Sequence, residues 1–214
     1  FPIIGHTSLK AYLAIINSKA IYSSFFMSII ITFLATLIHM TVTILSGFVL
    51  SNRKLPGRTA MLIFVLFTML FGGGLIPTYL TISSYKMIDT IWSLILPGAV
   101  SVYSIILMKN YIIQIPKSLM EAGEIDGASP GYLLWRIIVP LSVPIIATLS
   151  LFCAVGKWND WFSAYIFIKQ AKHLWPFQNV LQNLVVNTDL GNVIDIDLSN
   201  LGEAFKNALI VVSI

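Results

Sequence analysis

Long apolar stretches alternate with short polar intervals along the whole chain, and this pattern predicts a bundle of membrane-spanning helices. Four stretches reach the length of about 18 residues at which an apolar run becomes a candidate transmembrane helix. They cover residues 24–50, 59–80, 91–108 and 143–168, and a fifth begins at 204 and reaches Ile214. We therefore predict an all-α, polytopic membrane protein that forms one domain over residues 1–214. The chain starts at Phe1 and ends within an apolar run, so we expect it to be truncated at both ends.

Helix-breaking and polar residues interrupt these spans at a few places. Three glycines at 72–74 and the nearby Pro77 fit either close helix packing, which we favour, or a flexible wall of a solute path. Pro97 and Gly98 predict a kink in the third span. His39 lies within the first span, where we favour a packed, hydrogen-bonded side chain over a proton- or ligand-binding role.

Composition and charge agree with a membrane protein and indicate its orientation. Hydrophobic residues make up 57% of the chain and charged residues 10%, whereas ordinary soluble domains contain roughly 25% charged residues. Arg53, Lys54 and Arg58 form a basic loop without an acid between the first two spans. The positive-inside rule places that loop in the cytoplasm, and alternation then places residues 169–203 outside. The net charge of +4 is small, which argues against nucleic-acid binding.

The chain contains no pattern typical of a catalytic, nucleotide-binding or metal site. No glycine-rich loop followed by Lys-Ser/Thr is present, so we expect no ATP hydrolysis by this chain. Three scattered histidines and the single Cys153 make no metal-ligand pattern. The sequence therefore predicts no catalytic residue, no metal site and no cofactor bound by this chain.

One polar interval, residues 115–140, separates the third and fourth spans and predicts a helix, a tight turn and a second helix. Pro116 suits the first turn of a helix over residues 117–126. Gly127 follows where a left-handed residue ends many helices, and Ser129 before Pro130 is typical of a new helix start. The apolar side chains of the first helix fall on one face, at Leu119, Ala122 and Ile125.

This interval resembles the signature loop of binding-protein-dependent ABC importer permeases. The family's pattern is Glu-Ala-Ala, three residues, Gly, nine residues and Ile-x-Leu-Pro. The corresponding residues are Glu121, Ala122, Gly123, Gly127, Ile137, Val139 and Pro140. Gly123 and Val139 depart from the pattern, and Gly123 lowers helix propensity by roughly 1 kcal/mol relative to Ala. The carbohydrate branch of the family is further indicated by Ile115-Pro116, residues 125–128 and Trp158-Asn159-Asp160.

The resemblance implies a type I ABC importer permease with six spans in the intact chain, located in the cytoplasmic (inner) membrane. It also implies a second, similar permease subunit, two ATPase subunits that bind ATP and Mg²⁺, and an extracytoplasmic binding protein that delivers a sugar or oligosaccharide. Besides these partners we expect membrane lipid and no nucleic acid. The expected ATPase-coupling residues are Pro116, Leu119, Glu121, Ala122, Gly123, Ile125, Asp126, Gly127 and Ala128.

A polar and aromatic run, residues 156–161, interrupts the fourth span, and within it the candidate solute path is formed by Trp158, Asn159, Asp160 and Trp161. Trp158 lies 14 residues after Pro144, or roughly 21 Å along a helix, in the outer half of the membrane. Lys157 and Asp160 are three apart, a spacing that suits a pair on one helix face. An aromatic belt at the membrane interface and subunit packing are the alternatives. We also expect part of the polar segment 169–203 to contact the binding protein, or else to fold over its own spans.

Three alternative functions remain open at this point. The first is a permease of an ABC importer for a solute other than a sugar. The others are a passive channel and an intramembrane enzyme that uses Asp160 and a histidine. Neither a channel nor an intramembrane enzyme requires a helix-turn-helix with this spacing. Stimulation of ATP hydrolysis in a purified complex distinguishes a transporter from both.

Overall fold

The computed structural model describes residues 19–186, and within that range the chain is helical, with no strand. The α-helices are α1 Lys19–Ser51, α2 Arg58–Leu70, α3 Leu75–Ser84, α4 Trp92–Ile95, α5 Val102–Gln114, α6 Lys117–Ile125, α7 Pro130–Leu133, α8 Val139–Leu141, α9 Val143–Trp158, α10 Phe162–Phe167 and α11 Phe177–Val186. Short 3₁₀ helices occupy Leu96–Gly98 and Lys172–Leu174, and a π-helical turn occupies Leu134–Ile138. The predicted all-α class is confirmed.

In the described range, α1 alone is long and apolar enough to cross a membrane as one helix. Three further spans result if each bent pair of helices counts as one, namely Arg58–Leu70 with Leu75–Ser84, Trp92–Gly98 with Val102–Gln114, and Pro130–Leu141 with Val143–Trp158. The bends measure 112°, 50° and 79°, respectively. The second and third predicted spans, 59–80 and 91–108, correspond to the first two of these pairs. In the predicted fourth span, α9 ends at Trp158, within the predicted interruption at residues 156–161.

The three glycines of the second span form a bend and not a close helix contact. A Cβ atom added at Gly72 or Gly74 would meet nothing within 4 Å, and one at Gly73 would meet only Pro77, 3.6 Å away. Gly74 adopts a φ of +78°, which favours glycine over residues with a side chain. Within the described residues, the favoured interpretation of close packing is therefore wrong, and the glycines serve the 112° change of direction.

His39 stabilises the kink predicted at Pro97 and Gly98. The kink leaves the Ala99 carbonyl available, and the Nδ1–H of His39 donates to it over 3.2 Å. Nε2 forms a hydrogen bond with the Ser104 hydroxyl, also over 3.2 Å. His39 is only 4% exposed, and these two bonds give both ring nitrogens of the buried side chain a partner. The interpretation of His39 as a packed, hydrogen-bonded histidine is confirmed.

The chain divides into two compact units. Among the described residues, the first unit contains residues 19–32, Tyr85–Leu94 and residues 158–186, and the second contains Phe33–Ser84 and Ile95–Lys157. The core of the second unit joins α1, α5, the π-helical turn and α9 through Met40, Ile44, Met108, Ile112, Ile115, Leu134, Ile138 and Leu149. The prediction of one domain over residues 1–214 stays a prediction.

The segment predicted as polar external chain over 169–203 is not a simple loop. It includes the 3₁₀ helix Lys172–Leu174 and the helix α11, Phe177–Val186, whose start is buried. The Phe177 N–H donates to the Ser28 hydroxyl of α1 over 2.7 Å, which satisfies one of the backbone donors left open at a helix start. The rest of this segment, the predicted fifth span from 204 and residues 1–18 lie outside the described residues.

Candidate functional site

The predicted coupling loop begins with α6, whose two ends are defined by its sequence. Pro116 is extended, with φ −54° and ψ 126°, and precedes the first helical residue, Lys117. At the other end Gly127 adopts φ +78°. The Gly127 N–H donates to the Glu124 carbonyl over 3.1 Å, and the Ala128 N–H donates to the Gly123 carbonyl over 2.9 Å. This pair of bonds is the Schellman arrangement, which confirms the predicted left-handed end of the helix.

The apolar face of α6 is exposed. Leu119 is 43% exposed and Ile125 is 86% exposed, and Ala122 lies between them, also exposed. Glu121 and Asp126 flank this face and are exposed as well. A short helix that turns large apolar side chains outward presents a surface that another protein can cover. Among the described residues, Leu119 is partly covered but Ile125 is almost fully open, so most of this face is available to a partner.

The opposite face of α6 packs against the second helix of the loop through Gly123. A Cβ atom added there would lie 2.5 Å from Cδ2 of Leu133 and 3.5 Å from Cδ1 of Ile137. Leu133 is buried, so it has little room to move. Gly123 therefore contributes to helix packing, because the absence of a side chain allows α6 and α7 to approach closely. Its low helix propensity does not indicate this function.

The second half of the loop connects α6 to the core of the second unit. The Ser129 hydroxyl accepts a hydrogen bond from the Tyr132 N–H over 3.3 Å and caps α7, as predicted. Leu134 and Ile138 of the following π-helical turn belong to the core that includes residues of α1, α5 and α9. Met120 of α6 packs against the same core. α6 therefore packs against a core that joins three helices.

A groove of about 280 Å³ lies beside the start of α6. It is lined by Tyr111, Gln114, Ile115, Pro116, Leu119 and Leu141. The Tyr111 hydroxyl donates to the Leu141 carbonyl over 3.3 Å. This bond joins the end of α5 to the end of α8 and forms one wall of the groove.

The nine predicted coupling residues thus occupy one continuous helix and turn, from Pro116 to Ala128. Those with exposed side chains or backbone are Pro116, Leu119, Glu121, Ala122, Ile125, Asp126 and Gly127. Gly123 and Ala128 are partly buried and support the arrangement from within. Their contact with an ATPase subunit stays a prediction.

The candidate solute-path residues do not lie on one helix face. α9 ends at Trp158, and residues 159–161 form a turn before α10. Lys157 and Asp160 therefore do not lie on one helix face, and that prediction is wrong. The Asp160 carboxylate accepts two hydrogen bonds from Ser163 in the first turn of α10. Its Oδ1 accepts from the Ser163 N–H over 3.1 Å, and its Oδ2 accepts from the Ser163 hydroxyl over 2.7 Å.

The two tryptophans belong to different aromatic clusters within the first unit. Trp158 meets Phe25 of α1 edge to face, with ring centroids 5.6 Å apart, and Phe25 meets Phe177 in the same way at 5.8 Å. Trp161 packs against Phe162 and Tyr165 at 5.7 and 6.4 Å. Trp158 and Trp161 therefore do not form a single flat platform.

Asn159 lies next to Trp158 and is exposed. Its Oδ1 accepts a hydrogen bond from Nε2 of Gln178 in α11 over 3.3 Å. Phe177 is buried and supports Phe25. Phe25 and Gln178 are functional candidates that sequence reasoning missed, because nothing in the local sequence connects α1 or α11 with residue 158. Together with Trp158 and Asn159 they combine aromatic faces and amide groups, a combination that suits hydroxyl-rich ligands.

Among the described residues, no group of three or more His, Cys, Asp or Glu side chains could hold a metal ion.

Three comparisons identify similar proteins. The profile of the binding-protein-dependent transport system inner membrane component family matches residues 11–212. The protein LplC of Bacillus subtilis is 41% identical over 183 residues, which cover 86% of this chain and 62% of that protein. The polygalacturonan/rhamnogalacturonan transport system permease protein YtcP of the same organism is 37% identical over 213 residues, which cover 96% of this chain and 73% of that protein. The chain thus spans about two thirds of the length of these relatives.

The fold is similar to a solved structure of a bacterial ABC transporter involved in the import of the acidic polysaccharide alginate. The TM-score is 0.89 at 27% sequence identity, and the match covers 96% of this chain and 74% of that chain. The predicted type I importer permease fold is therefore confirmed.

Proposed function

Because the chain belongs to the family of inner membrane components of binding-protein-dependent transport systems, we propose that it forms half of the translocation path of an ATP-driven importer of sugars or oligosaccharides. It is the permease component and not an enzyme. Two similar proteins support the substrate class. One relative is named as a polygalacturonan/rhamnogalacturonan transport permease, and the similar structure is of a transporter involved in alginate import.

The observation that carries this proposal is the exposed apolar face of α6 on a loop that is fixed to the helical core. A Schellman turn at Gly127 and the close contact of Gly123 with Leu133 hold the loop in one shape. Leu134 and Ile138 then connect it to α1, α5 and α9. This is the arrangement needed to convert a movement of a partner protein into a movement of the spans.

Partners and cofactors follow from the same proposal. Two ATPase subunits bind ATP and Mg²⁺ and contact α6, a second permease subunit completes the path, and an extracytoplasmic protein delivers the solute. This chain itself binds no cofactor and no nucleic acid. The basic loop with Arg53, Lys54 and Arg58 and the coupling loop face the cytoplasm.

The transport cycle is an exchange between two arrangements of rigid bodies. ATP binding closes the ATPase pair, carries both coupling loops with it and favours the outward-open arrangement, and hydrolysis returns the inward-open one. Trp158 and Asn159 contact the solute in the outer half of the path.

Reconstitution of the full-length protein with its partner subunits in proteoliposomes tests this function. We expect uptake of a labelled oligosaccharide that requires ATP inside and the binding protein outside, and ATP hydrolysis that the loaded binding protein stimulates. The panel includes neutral oligosaccharides, oligogalacturonides and alginate oligosaccharides. ATP-independent flux would contradict the proposal in favour of a channel, and uptake restricted to non-sugar solutes would contradict the substrate class.

A further inference from the structure

Lys157 places a charge at the end of an apolar helix. It lies in the last turn of α9, and every other residue of that helix is uncharged. A charged side chain is costly in the interior of a membrane, and one that is retained there usually faces a solute or ion pathway. Lys157 is partly buried, so part of its surface is covered by other parts of the protein.

The tip of Lys157 lies against the kink that precedes α5. A Cβ atom added at Gly98 would lie 2.9 Å from Cε and 2.9 Å from Nζ of Lys157. Packed atoms do not come this close, so a side chain at position 98 would take the space of the ammonium group. Gly98 ends the 3₁₀ helix Leu96–Gly98 and has no left-handed φ. The need for glycine there therefore comes from the lysine tip and not from the backbone.

Two simpler explanations of a lysine at a helix end do not account for this contact. A cation in the last turn interacts favourably with the helix dipole, and a lysine near the membrane surface can extend its stem outward into water. Neither explanation requires the tip to meet another segment. The contact with Gly98 shows that the tip of Lys157 is turned toward a neighbouring segment of the second unit.

The end of α9 that carries Lys157 is remote from the acidic residues of the second unit. The carboxylates in the described part of that unit are Glu121, Glu124 and Asp126, all on the coupling loop. α9 begins after that loop at Val143, and Lys157 lies about 21 Å further along the helix axis. Within this unit, the far end of α9 is therefore positively charged and attracts an anion.

We propose that Lys157 is a specificity-determining residue whose ammonium binds a carboxylate of the solute, so that the preferred solute is an oligosaccharide of uronic acids. This inference rests on the proposed function, which places the outer half of the solute path at this end of α9. An ammonium offers three donors to a carboxylate, and such charge-assisted bonds are roughly twice as strong as bonds between neutral groups. Gly98 is the positioning residue, because it leaves space for the ammonium.

The test compares two solutes that differ only in charge, an oligogalacturonide and its fully methyl-esterified form. Initial uptake of each labelled solute is measured in proteoliposomes of zwitterionic lipid that contain the full complex. The same binding protein is used throughout, so that a changed ratio of the two rates reports on the permease. Lys157→Gln should lower uptake of the acid about tenfold and leave uptake of the ester within about twofold of the parent rate, because the charge-assisted bond is lost.

A second variant keeps the charge and moves it. Gly98→Ala displaces the flexible end of the lysine and leaves the helices in place, and it should lower uptake of the acid about threefold relative to the ester. Gly156→Ala is the matched control, because a Cβ atom added there would meet nothing within 4 Å. This control should transport both solutes at the parent rate.

The outcomes separate this inference from the proposed function. An unchanged ratio of the two rates, or equal losses of both solutes, in either assembled variant would overturn the inference. A parent complex that prefers the ester would do the same. An effect of Lys157→Gln that appears only with anionic lipid would assign the ammonium to a lipid phosphate and also overturn it. In all these cases ATP-dependent sugar uptake by the parent still supports the proposed function, whereas absence of any sugar uptake would refute both.

Discussion

Replacing Gly127 by valine is expected to uncouple transport from ATP hydrolysis. Gly127 has a φ of +78°, and a Cβ atom there would meet nothing within 4 Å, so the effect comes from the backbone and not from a clash. The left-handed conformation costs roughly 1–2 kcal/mol for a residue with a side chain, and more for a β-branched one. A cost of this size lowers the population of the correctly folded turn about tenfold. Loss of the turn frees α6 from the Schellman bonds to Gly123 and Glu124. Uptake in proteoliposomes should fall by about this factor or more.

Two control variants separate this cause from general damage. Gly127→Asn should retain most of the uptake, because asparagine tolerates the left-handed conformation. Gly131→Ala changes a glycine in the same loop that has open space around it and no positive φ, and it should transport at the parent rate. If the Gly127→Val complex assembles and imports its solute at the parent rate, α6 does not couple in the way proposed.

Removing the side chains of Trp158 and Asn159, one at a time, is expected to lower sugar uptake while assembly and ATP binding stay unchanged. Trp158 presents an indole that is only partly buried against Phe25, and Asn159 presents an exposed amide beside Gln178. An aromatic contact contributes about 0.5–1.5 kcal/mol beyond its buried area, which predicts a roughly two- to twelvefold loss for Trp158→Ala. Initial uptake rates over the sugar panel, with the complex quantified by size-exclusion chromatography, measure this effect.

Trp92→Ala is the matched control for the alternative of an aromatic belt. Trp92 is an exposed tryptophan at the start of α4 in the same unit, without a polar Asn-Asp pair after it. It should transport at close to the parent rate. Parent-like uptake by both Trp158→Ala and Asn159→Ala across the panel would exclude them from the path and support the belt.

The coupling loop could be predicted from sequence because its signals are local. The helix start at Pro116, the left-handed Gly127 and the cap at Ser129 each depend on backbone preferences of one or two residues. The kink near Pro97 has the same kind of cause. Amphipathic spacing then sufficed to predict which side chains of α6, such as Leu119 and Ile125, share a face.

The parts that sequence reasoning missed depend on contacts between distant residues. Gly123 appeared to be a weakness in α6, and only its distance to Leu133 reveals a packing function. The partners of Trp158 and Asn159 come from α1 and α11.

Photo-crosslinking from Ile125 tests the central claim, that α6 docks on the ATPase subunit. Ile125 is 86% exposed and is the most outward large apolar residue of the loop. A benzophenone amino acid at this position in the assembled complex should crosslink to the ATPase subunit, with a yield that changes between nucleotide-free and ATP-bound states. The same probe at Tyr85, an exposed residue of the turn between α3 and α4, should yield no such product. Absence of an ATPase crosslink from Ile125 in a complex that still transports would contradict the account.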